Sequence, residues 1–387
     1  MDDIRVLEPS GLDALIAELR NRGFRVVGPT VRGDAIVTAD LTTAEDLPRG
    51  IGDEQEAGKY RLRRRDDDAY FGFADPAQST KPVFFPAEEV VWRGRRETGE
   101  GEGDAGHFTV ERDTPEQRPV ALLGVRSCDL RAVQIHDKVL ANRTFRDAHY
   151  EARRAGTFTV AVACGEPAAT CFCTSMGTGP RPATTSPETG EPAYDLLLTE
   201  VLEPEHRFIM EIGTEQGRSV ADAIAAAPGA AEDKRAALEV TDAAAARQTR
   251  AIDTGTIHDV LRASAESPRW DDVASRCLAC TNCTLVCPTC FCTTIQDTSD
   301  LAGASAERHR VWDSCFSENF SYIHGGPLRG DVKARYRQWI THKLSSWQDQ
   351  FGMLGCVGCG RCIAWCPVGI DITEEAAALG RMAVASA

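Results

Sequence analysis

Apolar positions in the first 265 residues switch between helical spacing and short buried runs, the pattern of a mixed α/β region. "SGLDALIAELRNRG" (10–23) repeats apolar residues on one helical face, with Ser10 placed to cap the helix and Gly23 to end it. "FRVVGPTVRGDAIVTAD" (24–40) follows as two short strands around turn residues, and "YRLRRRDDDAYFGF" (60–73) is bounded like a hairpin. The most telling stretch begins at "RPVALLGV" (118–125), an apolar run suited to a buried parallel strand. Two helical patterns, "CDLRAVQIHDKVL" and "AHYEARRAG", lead from it to a second buried run, "TFTVAVA" (157–163). Such a strand–helix–strand unit predicts parallel strands with a right-handed connection. Cys128 and Cys164 then fall just past the carboxyl ends of the two strands, the edge at which open α/β sheets hold ligands. Cys171 and Cys173 follow in the next loop, with Phe172 between them. Residues 193–213 read as two more strands and 215–265 as an Ala-rich helical connector.

From residue 266 onward the composition changes, and eleven of the fifteen cysteines lie there. We therefore expect two domains, 1–265 α/β and 266–387 mainly helical. The long pattern "RGDVKARYRQWITHKLSSWQDQFG" (329–352) suggests a helix with a basic face at Lys333–Lys343, and Thr373 caps a final helix in "DITEEAAALGRMAVA".

The formal charge of −15 argues against a duplex nucleic-acid binder, which needs a cationic face. No run of about 18 apolar residues is present to span a bilayer. The start "MDDIRVLEPS" lacks the apolar segment of a signal peptide, so the expected location is cytoplasmic. In a reducing cytosol, clustered thiols hold metal or do redox chemistry more often than they form disulfides.

The cysteines themselves are more specific. "CLACTNCTLVCP" places Cys277, Cys280, Cys283 and Cys287 before Pro288, and "CVGCGRCIAWCP" places Cys356, Cys359, Cys362 and Cys366 before Pro367. Each is C-x2-C-x2-C-x3-C-P, the run that binds 4Fe–4S clusters in bacterial ferredoxins, where the fourth cysteine ligates the other run's cluster. One expected cluster therefore takes Cys277, Cys280, Cys283 and Cys366, and the other Cys356, Cys359, Cys362 and Cys287. Structural zinc would favour two separated C-x2-C pairs in a single four-ligand site, not two complete runs. The prolines suit the first turn of a following helix.

Cys128, Cys164, Cys171 and Cys173 are candidates for a third 4Fe–4S site at the sheet edge. Their spacing matches no ferredoxin run, and buried thiols beside a stray pair are the alternative. Cys290, Cys292 and Cys315 stay open between an altered ligand set, a three-cysteine site and core thiols. "TCFCTS" (170–175) and "TCFCTT" (289–294) nearly repeat each other; we expect the first to serve a cluster and the second to begin the helix after one.

With these elements in place, the chain resembles the beta subunit of cytoplasmic NAD(P)-linked nickel–iron hydrogenases of the sulfhydrogenase type. The segments "VVGPTVRGDAIV", "YRLRRRDDDAYFGF", "GVRSCDLRAVQIHDKV", "TCFCTSMGTGP", "WDSC" and both cysteine runs carry the resemblance. The electron-transfer subunit of anaerobic sulfite reductase is similar in plan. Where the family has Gly-Pro before an S-x-K element, this chain has Asp75–Pro76, so Lys81 is given no role. The resemblance implies an electron-transfer subunit. Its partners would be the small and large nickel–iron subunits, together with a subunit that binds flavin and NAD(P). Sulfite reduction, or an iron–sulfur scaffold or sensor, are the alternatives. The sequence agrees by omission: no G-x-G-x-x-G follows a strand, no phosphate-binding loop occurs, and no nucleophile–base set stands out. No catalytic residue is therefore expected in this chain, and the eight histidines read as ordinary polar residues.

Overall fold

The computed structural model describes residues 4–97, 107–113, 119–141 and 144–385; Met1–Asp3 of the start, and Arg118 of the apolar run, lie outside them. Fourteen strands organise the two larger sheets and one hairpin. In chain order they are β1 (Ile4–Leu7), β2 (Arg25–Arg32), β3 (Ala35–Asp40), β4 (Ile51–Glu56), β5 (Lys59–Arg64), β6 (Glu88–Glu97) and β7 (His107–Arg112). Then come β8 (Val120–Val125), β9 (Phe158–Val162), β10 (Leu196–Val201), β11 (Arg207–Ile212), β12 (Ala227–Pro228), β13 (Thr293–Ser299) and β14 (Ser305–Trp312).

The main sheet has the order β12-β1-β11-β10-β9-β8-β2-β3. Its centre, β10-β9-β8-β2, is parallel, and its flanks are antiparallel. Alternate residues of the central strands feed two apolar layers. Phe158, Val160 and Val162 face one core, with Leu12, Leu15 and Ile16 of the helix Gly11–Asn21. Ala161 and Ala163 face another, with Leu130 and Val133 of the helix Ser127–His136. Burial on both faces explains why these strands read as continuous apolar runs. The strand–helix–strand reading of 118–163 is found as expected, with Ala121 opposite Phe158 in parallel register.

The second sheet, β13-β14-β6-β7, is antiparallel and takes strands from both sides of residue 265. Its hairpin β13–β14 means that residues 266–387 are not built of helices alone. The helices Arg269–Arg276, Val332–Thr341 and Ile372–Ala385 pack around Trp270, Tyr336, Trp339 and Leu379.

Several local expectations change. Ser10 precedes its helix without a side-chain cap, being itself in a helical backbone conformation. The last helix, Ile372–Ala385, is preceded by Asp371, whose Oδ1 accepts from the Thr373 amide at 2.8 Å, so Thr373 lies inside it. Pro288 and Pro367 occupy turns, and "TCFCTT" leads into strand β13 instead of a helix. The basic stretch of 333–343 is no open face, because Arg335 and Lys343 are buried and Lys333 pairs with Asp271.

Candidate metal centres

The two cysteine runs fold as near copies. In each, the residue before the second cysteine and the residue after it take positive φ: Ala279 (51°) and Thr281 (70°) in the first, Gly358 (68°) and Gly360 (77°) in the second. Each loop turns an amide back onto its own first sulfur, from Ala279 to Cys277 at 3.4 Å and from Gly358 to Cys356 at 3.5 Å. Short helices, Asn282–Leu285 and Arg361–Ala364, then carry Cys283 and Cys362.

Cys277, Cys280, Cys283 and Cys366 line one apolar cavity with Phe316, Tyr336 and Trp339. Burial pushes the Cys283 thiol well up, and Cys277, Cys366 and Cys280 add to that. The Ile370 amide donates to the Cys366 sulfur at 3.3 Å. Around the second run, Cys287 joins Cys356, Cys359 and Cys362. Burial raises Cys362, with Cys356, Cys359 and Cys287 as its sulfur neighbours. Cys287 is the exception, held well below its ordinary value against burial by the Cys290 thiol and by Lys343. The Lys343 Nζ lies 3.0 Å from the Cys287 sulfur in a site where the lysine is 3% exposed.

Buried thiols pushed up by burial and by one another, such as Cys283, Cys356 and Cys362, do not ionise together unaided. A polynuclear iron centre supplies the positive charge that deprotonates its ligands. Sulfurs met by backbone amides, in the first site within a largely apolar cavity and in the second beside the Lys343 ammonium, fit 4Fe–4S clusters.

The repeated "TCFC" segments sit on opposite sides of the second run. The Phe172 amide donates to Gly358 O at 2.8 Å, and a Cβ on Gly358 would stand 2.7 Å from Cys173 N and Cα. On the other side, Thr289 Oγ1 donates to Gly355 O at 2.7 Å, and Lys343 also reaches Thr289 and Gly355.

At the sheet edge, Cys164, Cys171 and Cys173 come together. Burial raises the Cys171 thiol, followed by Asp75, Cys164 and Cys173, and burial takes Cys173 to about 12. Gln248 Nε2 donates to the Cys173 sulfur at 3.2 Å. Cys128 stands beside Asp75, its Sγ donating to Asp75 Oδ2 at 2.6 Å. Between this site and the second run lies Arg361, 0% exposed. Its guanidinium meets Asp129 at 2.7 and 3.1 Å and Asp75 at 3.3 Å, and its Nε donates to Pro76 O at 2.7 Å.

Of the remaining thiols, Cys290 contacts Cys287, and Cys315 contacts Cys292, whose thiol it lowers to about 7. Lys81, 4% exposed, lies 3.7 Å over the Trp312 ring and donates to Cys290 O at 3.2 Å. Sequence reasoning missed Lys81, Lys343 and Arg361. Only Arg361 adjoins cysteines in sequence, a signal that is weak by itself, while Lys81 and Lys343 lie well away from any cysteine.

No helix among the described residues is long and apolar enough to cross a membrane. Residues 276–370 match the family described as a 4Fe-4S dicluster domain. The chain is also 31% identical over 261 residues to sulfhydrogenase 2 subunit beta of Pyrococcus furiosus, covering 65% of this chain and 71% of that one.

Proposed function

The chain belongs to the family of sulfhydrogenase beta subunits, and from that premise we propose that it is the electron relay of a cytoplasmic, multi-subunit hydrogenase. Its partners in this reading are the small and large nickel–iron subunits and a flavin subunit that binds NAD(P). 4Fe–4S clusters, when bound, take up and release single electrons. The proposed ligands are Cys277, Cys280, Cys283 and Cys366 for the first cluster, and Cys356, Cys359, Cys362 and Cys287 for the second. Cys128, Cys164, Cys171 and Cys173 are the proposed ligands of a third.

The observation that carries this reading is the contact between sites. The loop of the second run bonds directly to the loop bearing Cys171 and Cys173, through the Phe172 amide and Gly358 O. It shares the interior of the 276–370 region with the first run, where Cys280 is exposed. The protein's own work is to exclude water from the inner sites, to aim amides at sulfur and to set Lys343 beside Cys287. Hydride and dihydrogen chemistry moves electron pairs, so it belongs to partners carrying a flavin or a bimetallic centre.

The test uses the anaerobically purified chain. It should hold about twelve irons and as many sulfides, in three clusters. It should be reversibly reduced by a one-electron reductant, yet fail to reduce NAD(P) with hydrogen gas until the flavin subunit joins it with the hydrogenase pair. Clusters that resist reversible reduction would make the chain a scaffold. Hydrogen-dependent NAD(P) reduction by the single chain would end the relay reading.

A further inference from the structure

The helix Val332–Thr341 forms one wall of the cavity that holds Cys277, Cys280, Cys283 and Cys366. It contributes Tyr336 and Trp339, which are one turn apart on the same helical face. Tyr336 is 2% exposed and its phenol oxygen has no hydrogen-bond partner; the Nε1 of Trp339, also buried, has none either. Among the described residues, these two are the only buried side-chain donors without a partner that line this cavity. A buried hydroxyl left unpaired is costly, and native structures rarely keep one without a reason.

The surroundings narrow what that reason is. The Tyr336 ring packs against Trp270, Phe316 and Trp339, with centroids 6.5, 6.1 and 5.5 Å away, so those sides offer no lone-pair acceptor. The remaining side is the cavity. Apart from Thr281 and Asn282, its lining side chains are aliphatic, aromatic or cysteine, so sulfur is the most abundant acceptor there. The two runs also differ in their donors. Cys287 of the second site has the Lys343 ammonium at 3.0 Å, whereas no lysine or arginine lines the first cavity. The first site has the amides of Ala279 and Ile370, on Cys277 and Cys366.

We propose that the Tyr336 hydroxyl donates a hydrogen bond to sulfur of the first cluster and so raises its reduction potential. The inference rests on that cluster of the relay reading. A donor aimed at cluster sulfur stabilises the reduced, more negative form. Tyr336 is not a ligand; it sets how readily the cluster accepts an electron. Trp339 Nε1 is the second donor of the same wall, but Tyr336 is the one whose donor can be deleted without changing the ring.

The test uses the anaerobically purified full chain and Tyr336→Phe. The first cluster's signal in electron paramagnetic resonance is the one lost in Cys280→Ala. Tyr336→Phe should keep the iron content of the unaltered chain, which shows that fold and clusters survive. At a fixed potential, its ratio of reduced to oxidised first cluster should fall about tenfold, a downward shift of about 59 mV for one electron. After reconstitution in heavy water, electron–nuclear double resonance of that signal should lose one deuteron coupling, while those of the amides remain. Phe316→Leu alters the same cavity without removing a donor and should keep every coupling. An unchanged or raised potential in Tyr336→Phe, or retention of every coupling, would overturn the assignment and leave the relay reading standing. Absence of a first-cluster signal from the unaltered chain would end both.

Discussion

Replacing Arg361 with Met should destabilise the protein strongly. The side chain is wholly buried and has three partners, Asp129 in a two-pronged pair, Asp75, and the Pro76 carbonyl. Methionine roughly fills the volume but strands both carboxylates. Breaking a buried pair by removing one partner typically costs about 3–5 kcal/mol. At about 2.1 cal/mol/K per residue, a chain of 387 residues unfolding as one unit has an unfolding entropy near 0.8 kcal/mol/K, so the melting temperature should drop by about 4–6 °C. The loss should depend on pH. Burial pushes the Asp129 carboxyl up to about 6, against the pull of Arg361, so removing Arg361 raises it further. A carboxyl raised in the folded state favours folding below its unfolded value, near 4, and that contribution is lost as pH rises through the folded value. The deficit of Arg361→Met should therefore be larger at pH 8 than at pH 6. Adding Asp129→Asn to Arg361→Met should recover much of it at pH 8. Thermal unfolding followed by circular dichroism, on samples matched for iron content, measures this. A drop below about 1 °C, or one equal at both pH values, would refute the account of Arg361 as counter-charge.

Other outcomes follow from the same geometry. Cys287→Ala should damage the cluster of the second run more than that of its own, and Cys366→Ala the reverse, as resonance spectra of each variant would reveal; damage confined to the mutated run would disprove crossed ligation. Gly360→Ala places a Cβ 2.4 Å from Thr170 O at a residue with φ of 77°. The left-handed penalty and the overlap together should destabilise by about 2–5 kcal/mol in denaturant melts. Lys343→Met removes the ammonium 3.0 Å from the Cys287 sulfur. A charged hydrogen bond worth about 1.5–3 kcal/mol should, on removal, lower the potential of the second cluster by up to about 130 mV in a redox titration. An unchanged or raised potential would count against Lys343 as a tuning group.

The legible parts of this chain are those encoded locally. β8 and β9 are buried on both faces, so their apolar runs identify a parallel core without any knowledge of neighbours. The two cysteine runs are legible because the ligands of one loop must sit at fixed spacing. What the sequence hides is tertiary. Lys343 lies within "WITHKL", where a lysine ordinarily reads as a solvated helix residue, and only the fold turns it toward Cys287. Arg361 is one of many arginines until the folded chain sets it against Asp129, far away in sequence. The hairpin β13–β14 has polar residues on both sides, as in "TTIQDTS", so no alternation announces it. Asp75 reads only as a departure from Gly-Pro, because a single carboxylate carries no spacing rule.

The near-repeat of "TCFC" finds its physical meaning in the difference between the two runs. Both loops need positive φ at the same two positions, yet the first uses Ala279 and Thr281 and the second uses Gly358 and Gly360. Backbone conformation alone does not explain this, since the first run tolerates side chains there. What differs is what lies outside each loop. The first faces solvent through Cys280 and Leu278. Over the second, the 170–173 loop presses so closely that a Cβ at either glycine would enter its backbone. The 289–292 loop and Lys343 close the opposite side. In the proposed relay, the second cluster is thereby enclosed between protein layers while the first stays near the surface. Its glycines let the 170–173 loop pack directly against the second run, and the proposed relay, with one exposed end and one enclosed step, needs that asymmetry.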